Sequence, residues 1–100
     1  MKKPVEIKLA IARATTFIED RYDLAEGVLR SHSQTKEVMP RRDLSMYMVK
    51  KQGFTDYEIA KYYNREKPRR HRASVSRAIR RVEKSEKLME EAAGLIHSFC

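Results

Sequence analysis

The sequence predicts an all-α protein, a small helical bundle that contains a helix-turn-helix. Three observations carry this expectation. The chain has 100 residues, 41% of them hydrophobic and 36% charged, which suits one modest core and a single domain over 1–100. Glycine and proline number three each, so few positions interrupt a helix. Apolar residues recur three and four positions apart along most of the chain, the spacing that builds one face of an α-helix.

Pro4 suits a first helical turn, where its missing N–H costs nothing. After it Ile7, Ala10, Ile11, Ala14, Phe17 and Ile18 mark a core-facing helix over 5–19. Leu24, Val28 and Leu29 predict a short second helix over 23–30, weakened by Gly27. The polar, aperiodic stretch 31–36 is a loop. It is either a plain connector or an arm reaching into a groove, with Arg30, His32 and Lys36 as its only groups for a phosphate. A further helix follows Pro40 and carries Leu44, Tyr47, Met48 and the stem of Lys51 on its inner side. Gly53 is placed to end it as a left-handed C′ residue.

Thr55 and Glu58 form a capping box, in which the hydroxyl accepts from the Glu58 N–H and the carboxylate returns to the Thr55 N–H. Phe54 and Ile59 occupy the positions of a hydrophobic staple. Both signals start a helix at Thr55 that runs to about Tyr63. A Pro68-containing loop over 64–70 leads to an amphipathic helix over 71–81, with Val75, Ile79 and Val82 on its apolar stripe and Ala78 beside them. Ala73, Arg77, Arg80 and Lys84 lie opposite that stripe. The segment over about 55–82 therefore reads as a helix-turn-helix with a long turn, and about 83–98 as a final helix, with Leu88, Ala92, Leu95 and the following Phe99 at roughly helical spacing.

Charge singles out one stretch of this plan. Residues 61–81 hold nine Lys and Arg against one acid, Glu66, whereas the whole chain holds 22 basic and 14 acidic residues. The rest is therefore neutral, and the net charge of +8 resides in this stretch. Clustered cations that displace the counterions of a polyanion are the footprint of nucleic-acid binding; the plain alternative is a solvated basic loop or surface helix. In a helix-turn-helix the start of the second helix enters the major groove, so His71, Arg72, Ala73, Ser74 and Arg77 are the candidates for base edges. Arg41, Arg42, Lys61, Arg65, Lys67, Arg69, Arg70, Arg80 and Arg81 are the candidates for phosphates, which orient without specifying.

The run TDYEIAKYY over 55–63, followed by RHRASVSRAIRRV over 70–82, resembles the C-terminal DNA-binding domain (domain IV) of the bacterial replication initiator DnaA. That family reads S-L-P-E-I-G-x-x-F-G-G-R-D-H-T-T-V-x-H-A-x-x-K-I in the same place. Glu58, Ile59, Tyr63, Arg70, Ser74, Val75, Ala78, Ile79, Arg81 and Val82 fall in register once about four residues are inserted between Asn64 and Arg70. Leu24, Ala25 and Glu26 resemble the start of the family's second helix, and Pro40 and Arg41 its P-R-Q-x-A-M-x-L segment. The resemblance implies a Trp-repressor-like fold that binds duplex DNA at a replication origin or a regulatory site. Transcription regulation is then as open as replication. In place of the family's D-H-T-T base-reading run stand His71, Arg72, Ala73 and Ser74, and its Arg-rich minor-groove loop corresponds to 31–36. The family's ATPase module is not in this sequence, so the expectation is a stand-alone relative.

Other classes are disfavoured. Three glycines make no phosphate-binding loop, and no Cys/His dyad has a useful spacing, so neither an enzyme nor a cofactor is expected. Cys100 is the single cysteine, and with His97 it forms only a weak candidate for a metal pair; no metal is expected. No apolar run approaches the ~20 residues that span a bilayer, and Met1, Lys2 and Lys3 do not open a signal peptide, which together predict a cytoplasmic protein with no membrane partner. Two alternatives to a duplex-DNA binder remain. One is an RNA or nonspecific nucleic-acid binder using Tyr57, Tyr62 and Tyr63 as stacking platforms, and the other a protein-interaction module that regulates replication. A homodimer or a cooperative array is a further expectation, since one recognition helix alone binds weakly.

Overall fold

The computed structural model describes residues 4–31, 34–64 and 69–99, and within them every regular element is helical. Helix α1 (Pro4–Arg21) buries Ile7, Ala10, Ile11, Ala14 and Ile18, as their spacing requires. Thr15 is buried as well, its hydroxyl returned to the Ile11 carbonyl at 2.8 Å. The helix expected over 23–30 does not form. Asp23 and Gly27 both take left-handed φ values, 56° and 81°, and only Val28–Arg30 closes, as a single 3-10 turn. Val28 and Arg30 donate to the local Ala25 and Gly27 carbonyls, whereas the Gly27 and Leu29 N–H groups find a distant partner. The buried Glu19 carboxylate accepts from the Gly27 N–H at 3.1 Å and the Leu29 N–H at 3.0 Å.

Helix α2 (Val38–Lys51) is the centre of the bundle and packs on α1, the 3-10 turn and all three later helices. Arg42 through Val49 are buried without interruption, so the one-sided face expected from Leu44, Tyr47 and Met48 is in fact a helix enclosed on all sides. Lys51 stays exposed, with Nζ 5.3 Å from the Tyr47 ring centroid. Gly53 ends the segment at φ 99°, the left-handed geometry that a residue without Cβ adopts at least cost.

Helix α3 (Asp56–Tyr62) starts at the capping box: Glu58 N–H to Thr55 Oγ1 is 3.1 Å and Thr55 N–H to Glu58 Oε1 is 2.9 Å. Phe54 and Ile59 are both buried at its base. Helix α4 (Arg72–Lys84) and helix α5 (Glu86–Phe99) meet at Ser85, which leaves helical geometry and caps α5 through its Oγ, 3.2 Å from the Leu88 nitrogen. Ala92 and Leu95 seat α5 in the core. The body measures 30 × 26 × 23 Å with a Cα radius of gyration of 12.2 Å, close to the ~13 Å of a compact domain of this length.

Tyr63, at the end of α3, is fully buried and has a hydrogen bond between its hydroxyl and Ser45 Oγ, while Ser45 donates to the Arg42 carbonyl at 2.6 Å. Three guanidinium groups surround it. Arg30 Nε donates to the Tyr63 carbonyl at 2.7 Å and its Nη2 to that of Tyr62 at 3.1 Å. Arg42 Nε donates to the Leu29 carbonyl at 2.8 Å and its Nη2 to that of Ser31 at 3.2 Å. Arg70 Nη2 also reaches the Ser31 carbonyl, at 3.3 Å, and its Nε bonds Asn64 Oδ1 at 2.8 Å. The orphan carbonyls at the ends of the 3-10 turn and α3 are thereby satisfied by side chains from elsewhere in the chain.

Two expected outcomes test this construction. Thr55→Ala removes one half of the capping box and should lower unfolding free energy by about 1 kcal/mol in urea titration. Burial pushes the Tyr63 hydroxyl up to about 12, the Ser45 hydrogen bond and nearby Arg42, Arg70 and Arg30 opposing it only in part. The unfolded chain loses this proton near pH ~10. The stabilisation is complete below that value and is lost as pH rises toward the folded pKa, at up to about 1.4 kcal/mol per pH unit. The stability of the wild type relative to Tyr63→Phe should therefore fall between about pH 10 and 12.

Candidate nucleic-acid interface

The candidate site is assembled on α4. Val75, Ala78, Ile79 and Val82 are buried against the core, which turns Arg72, Arg77, Arg80 and Arg81 outward. His71 is exposed and is the N-cap rather than the first helical residue, with Nδ1 accepting the Ala73 N–H at 3.1 Å. That bond leaves Nε2 as the ring nitrogen open to a ligand. Ala73 and Ser74 are half-buried beside it.

Two polar contacts set the position of α4. Ser76 donates to Asp56 Oδ2 at 2.6 Å, and Asp56 Oδ1 meets Lys50 Nζ at 3.0 Å, joining α4 to the start of α3 and the end of α2. Burial alone would raise the Asp56 pKa. The bond from Ser76 and the Lys50 ammonium outweigh it, so the carboxyl lies below its usual range. On the other side Arg81 grips Asp43 with Nε at 2.9 Å and Nη2 at 3.1 Å, a forked pair. The Asp43 side chain is 9% exposed and that of Arg81 54%, so the acid is nearly enclosed and the base half free. The bonds it donates to Asp43 raise the Arg81 pKa.

Beside this pair lies a cavity of about 200 Å³. Gln34, Met39 and Met46 line it together with Arg70, Ser74 and Arg77. The 34–39 segment is thus a neighbour of the α4 face. A second groove, of about 380 Å³, runs from Tyr57 and Lys61 on α3 to Arg69, His71 and Arg72. Tyr57 is 59% exposed there, whereas Tyr63 is enclosed and Tyr62 half-buried between Lys8 and Lys61, at 5.5 and 5.4 Å from its ring centroid.

The residues expected to meet phosphates divide into two groups. Arg69 and Arg80 are exposed, and Arg81 is partly so. Arg42 is buried with its guanidinium on backbone carbonyls, which corrects its assignment as a phosphate contact: the charge is spent on closing the 3-10 turn. Burial chiefly lowers its pKa, and that of Arg70, which is half-buried in the same cluster. Arg30, a candidate for a groove-reaching arm if 31–36 is not a plain connector, donates to the Tyr62 and Tyr63 carbonyls at the end of α3. Arg41 lies 4.4 Å from the Tyr22 ring centroid and Lys61 covers Tyr62, while Lys36 is exposed. His32, Arg65, Lys67 and Cys100 lie outside the described residues.

Sequence reasoning missed Asp43, Gln34 and Met39. Asp43 pairs across 38 positions, and no local pattern announces such a partner. Among the described residues no group of three His, Cys, Asp or Glu side chains could hold a metal ion, and no helix is long and apolar enough to cross a membrane. No family profile, curated protein or solved structure matches this chain.

Asp43→Asn removes the carboxylate from the cavity and releases Arg81. Elution from a heparin column should move to higher salt, while the unfolding free energy drops by about 0.5–1 kcal/mol. Unchanged elution would show that Arg81 already meets polyanions as freely as Arg72 does.

Proposed function

We propose that α3, the 63–71 linker and α4 work as a helix-turn-helix, and that the protein is a sequence-specific duplex-DNA-binding protein of the DnaA domain IV type acting at a replication origin or regulatory site. The observation that carries this reading is α4 itself, a helix with its apolar side buried and Arg72, Arg77, Arg80 and Arg81 on its outer side. Its 13 residues extend about 20 Å at 1.5 Å per residue, and the major groove is wide enough to admit such a helix. Arg72, Ser74 and Arg77, with the Nε2 of His71, supply groups able to read base edges, and Ala73 offers a methyl for apolar contact. Arg69, Arg80 and the half-exposed Arg81 supply phosphate contacts. Arg30 and Arg42 donate to backbone carbonyls of the α3 end, of Leu29 and of Ser31.

The test is selection of bound duplexes from a random pool at two salt concentrations. A recovered motif that persists at the higher salt is the expected result; recovery without a motif would reduce the protein to a charge-driven binder. Arg72→Ala or Arg77→Ala should relax preference at one base pair by about 1–3 kcal/mol, whereas Arg69→Ala should weaken every sequence alike and reduce the log–log salt slope by about 0.9. The exposed ring of Tyr57 between cations favours one second reading, stacking on an unpaired base. Including single-stranded RNA and DNA as competitors in the same selection distinguishes the two.

A further inference from the structure

Helix α1 has a second apolar line besides the one in the core. Val5 is 66% and Leu9 49% exposed, and Ala12 and Thr16 continue the line at helical spacing. A surface helix normally presents charged and polar groups there. The line is uneven in height: Val5 and Leu9 stand out at one end, whereas at the other Ala12, Thr16, Arg13 and Phe17 border a depression of about 380 Å³. Glu6 and Arg13, both exposed, lie two turns apart along one flank. On the other flank the Lys8 ammonium is held 5.5 Å from the Tyr62 ring centroid, toward α3 and away from the line.

We propose that this outer face of α1 is a self-association surface on which a second copy of the chain packs its own α1 antiparallel. Protrusion and depression lie on the same helix, so a two-fold axis between them lets each copy fill the other. The register that seats Val5 over the gap between Ala12 and Thr16 of the second copy also sets Glu6 opposite Arg13 of that copy. The axis then makes both contacts twice. A parallel two-fold arrangement would put the Glu6 and Arg13 flanks of the two copies on opposite sides of the seam, so that neither pair meets, and would leave both depressions unfilled. Charge and shape therefore select the same orientation. The surface is smaller than the ~800 Å² per partner of a stable complex, so the dimer is weak in free solution. Two copies held on one polyanion would associate far more completely, through effective concentration alone. Because α1 packs on α2, α3 and the 3-10 turn, the contact leaves the outer face of α4 clear.

Sedimentation equilibrium of the full chain without nucleic acid, from about 10 µM to about 1 mM, tests this independently of the DNA-binding reading. The weight-average mass should rise with concentration toward that of a dimer. Leu9→Glu should weaken association about tenfold or more, and Arg13→Glu about three- to tenfold. Adding Glu6→Arg to Arg13→Glu should restore it, since the swapped charges again face each other. Circular dichroism should report unchanged helix content, because all three positions are exposed. A monomer at every concentration, association that survives Leu9→Glu, or a double variant no better than Arg13→Glu would overturn the proposal.

Discussion

The arrangement around the Tyr63 ring is the constraint on which the α3–α4 side of this protein depends. Helix ends leave carbonyl oxygens without partners, and here the ends of the 3-10 turn and of α3 stop close together in partly dry surroundings. Neutral donors could satisfy them singly. Arg30, Arg42 and Arg70 do so in forks, each guanidinium joining two acceptors. Withdrawing such charges from water is costly, and the paired hydrogen bonds and the enclosing ring offset that cost. The gain is positional: Ser31 and Asn64, 33 positions apart, are held by the same arginine.

Helix α4 then carries a dense row of like charge without losing its seat. Its apolar side binds it to the core, but repulsion among Arg72, Arg77, Arg80 and Arg81 acts along the helix and across to Arg70. Asp43 and Asp56 answer this from beneath, one through Arg81 and one through Ser76. Both acids are set back from the surface, which weakens screening by solvent and leaves the outward face positive. The same acids that steady the free protein oppose an approaching polyanion at close range. Affinity and stability are therefore coupled with opposite signs at Asp43.

What could be read from the chain beforehand follows the range of the interactions. Signals within one turn were legible: the Thr55 and Glu58 box, the Phe54 and Ile59 staple, the left-handed Gly53, and the stripe of Val75, Ile79 and Val82. Long-range partners were not. The apolar letters of 23–30 look helical, yet the Glu19 carboxylate draws the Gly27 and Leu29 N–H groups away from a helical ladder. Helix α2 has a one-sided pattern on paper because Arg42, Asp43 and Ser45 are polar, and all three are buried with partners supplied by other segments. For the candidate site, the basic face of α4 was legible from charge and period. The division of its arginines between inward and outward duty was not, since an arginine bonded to a carbonyl and one facing water look identical in sequence.

That division has a consequence for how the protein can change over generations. Arg30, Arg42 and Arg70 each satisfy particular backbone or side-chain oxygens, and a lysine in their place lacks the fork that joins two acceptors at once. Arg72, Arg77 and Arg80 stand on an exposed surface where most replacements shift stability by no more than about 0.5 kcal/mol. The scaffold can therefore stay fixed while its outer row drifts among arginine, lysine and shorter polar residues. Lineages descended from one such chain would diverge first in what they bind and only much later in how they fold.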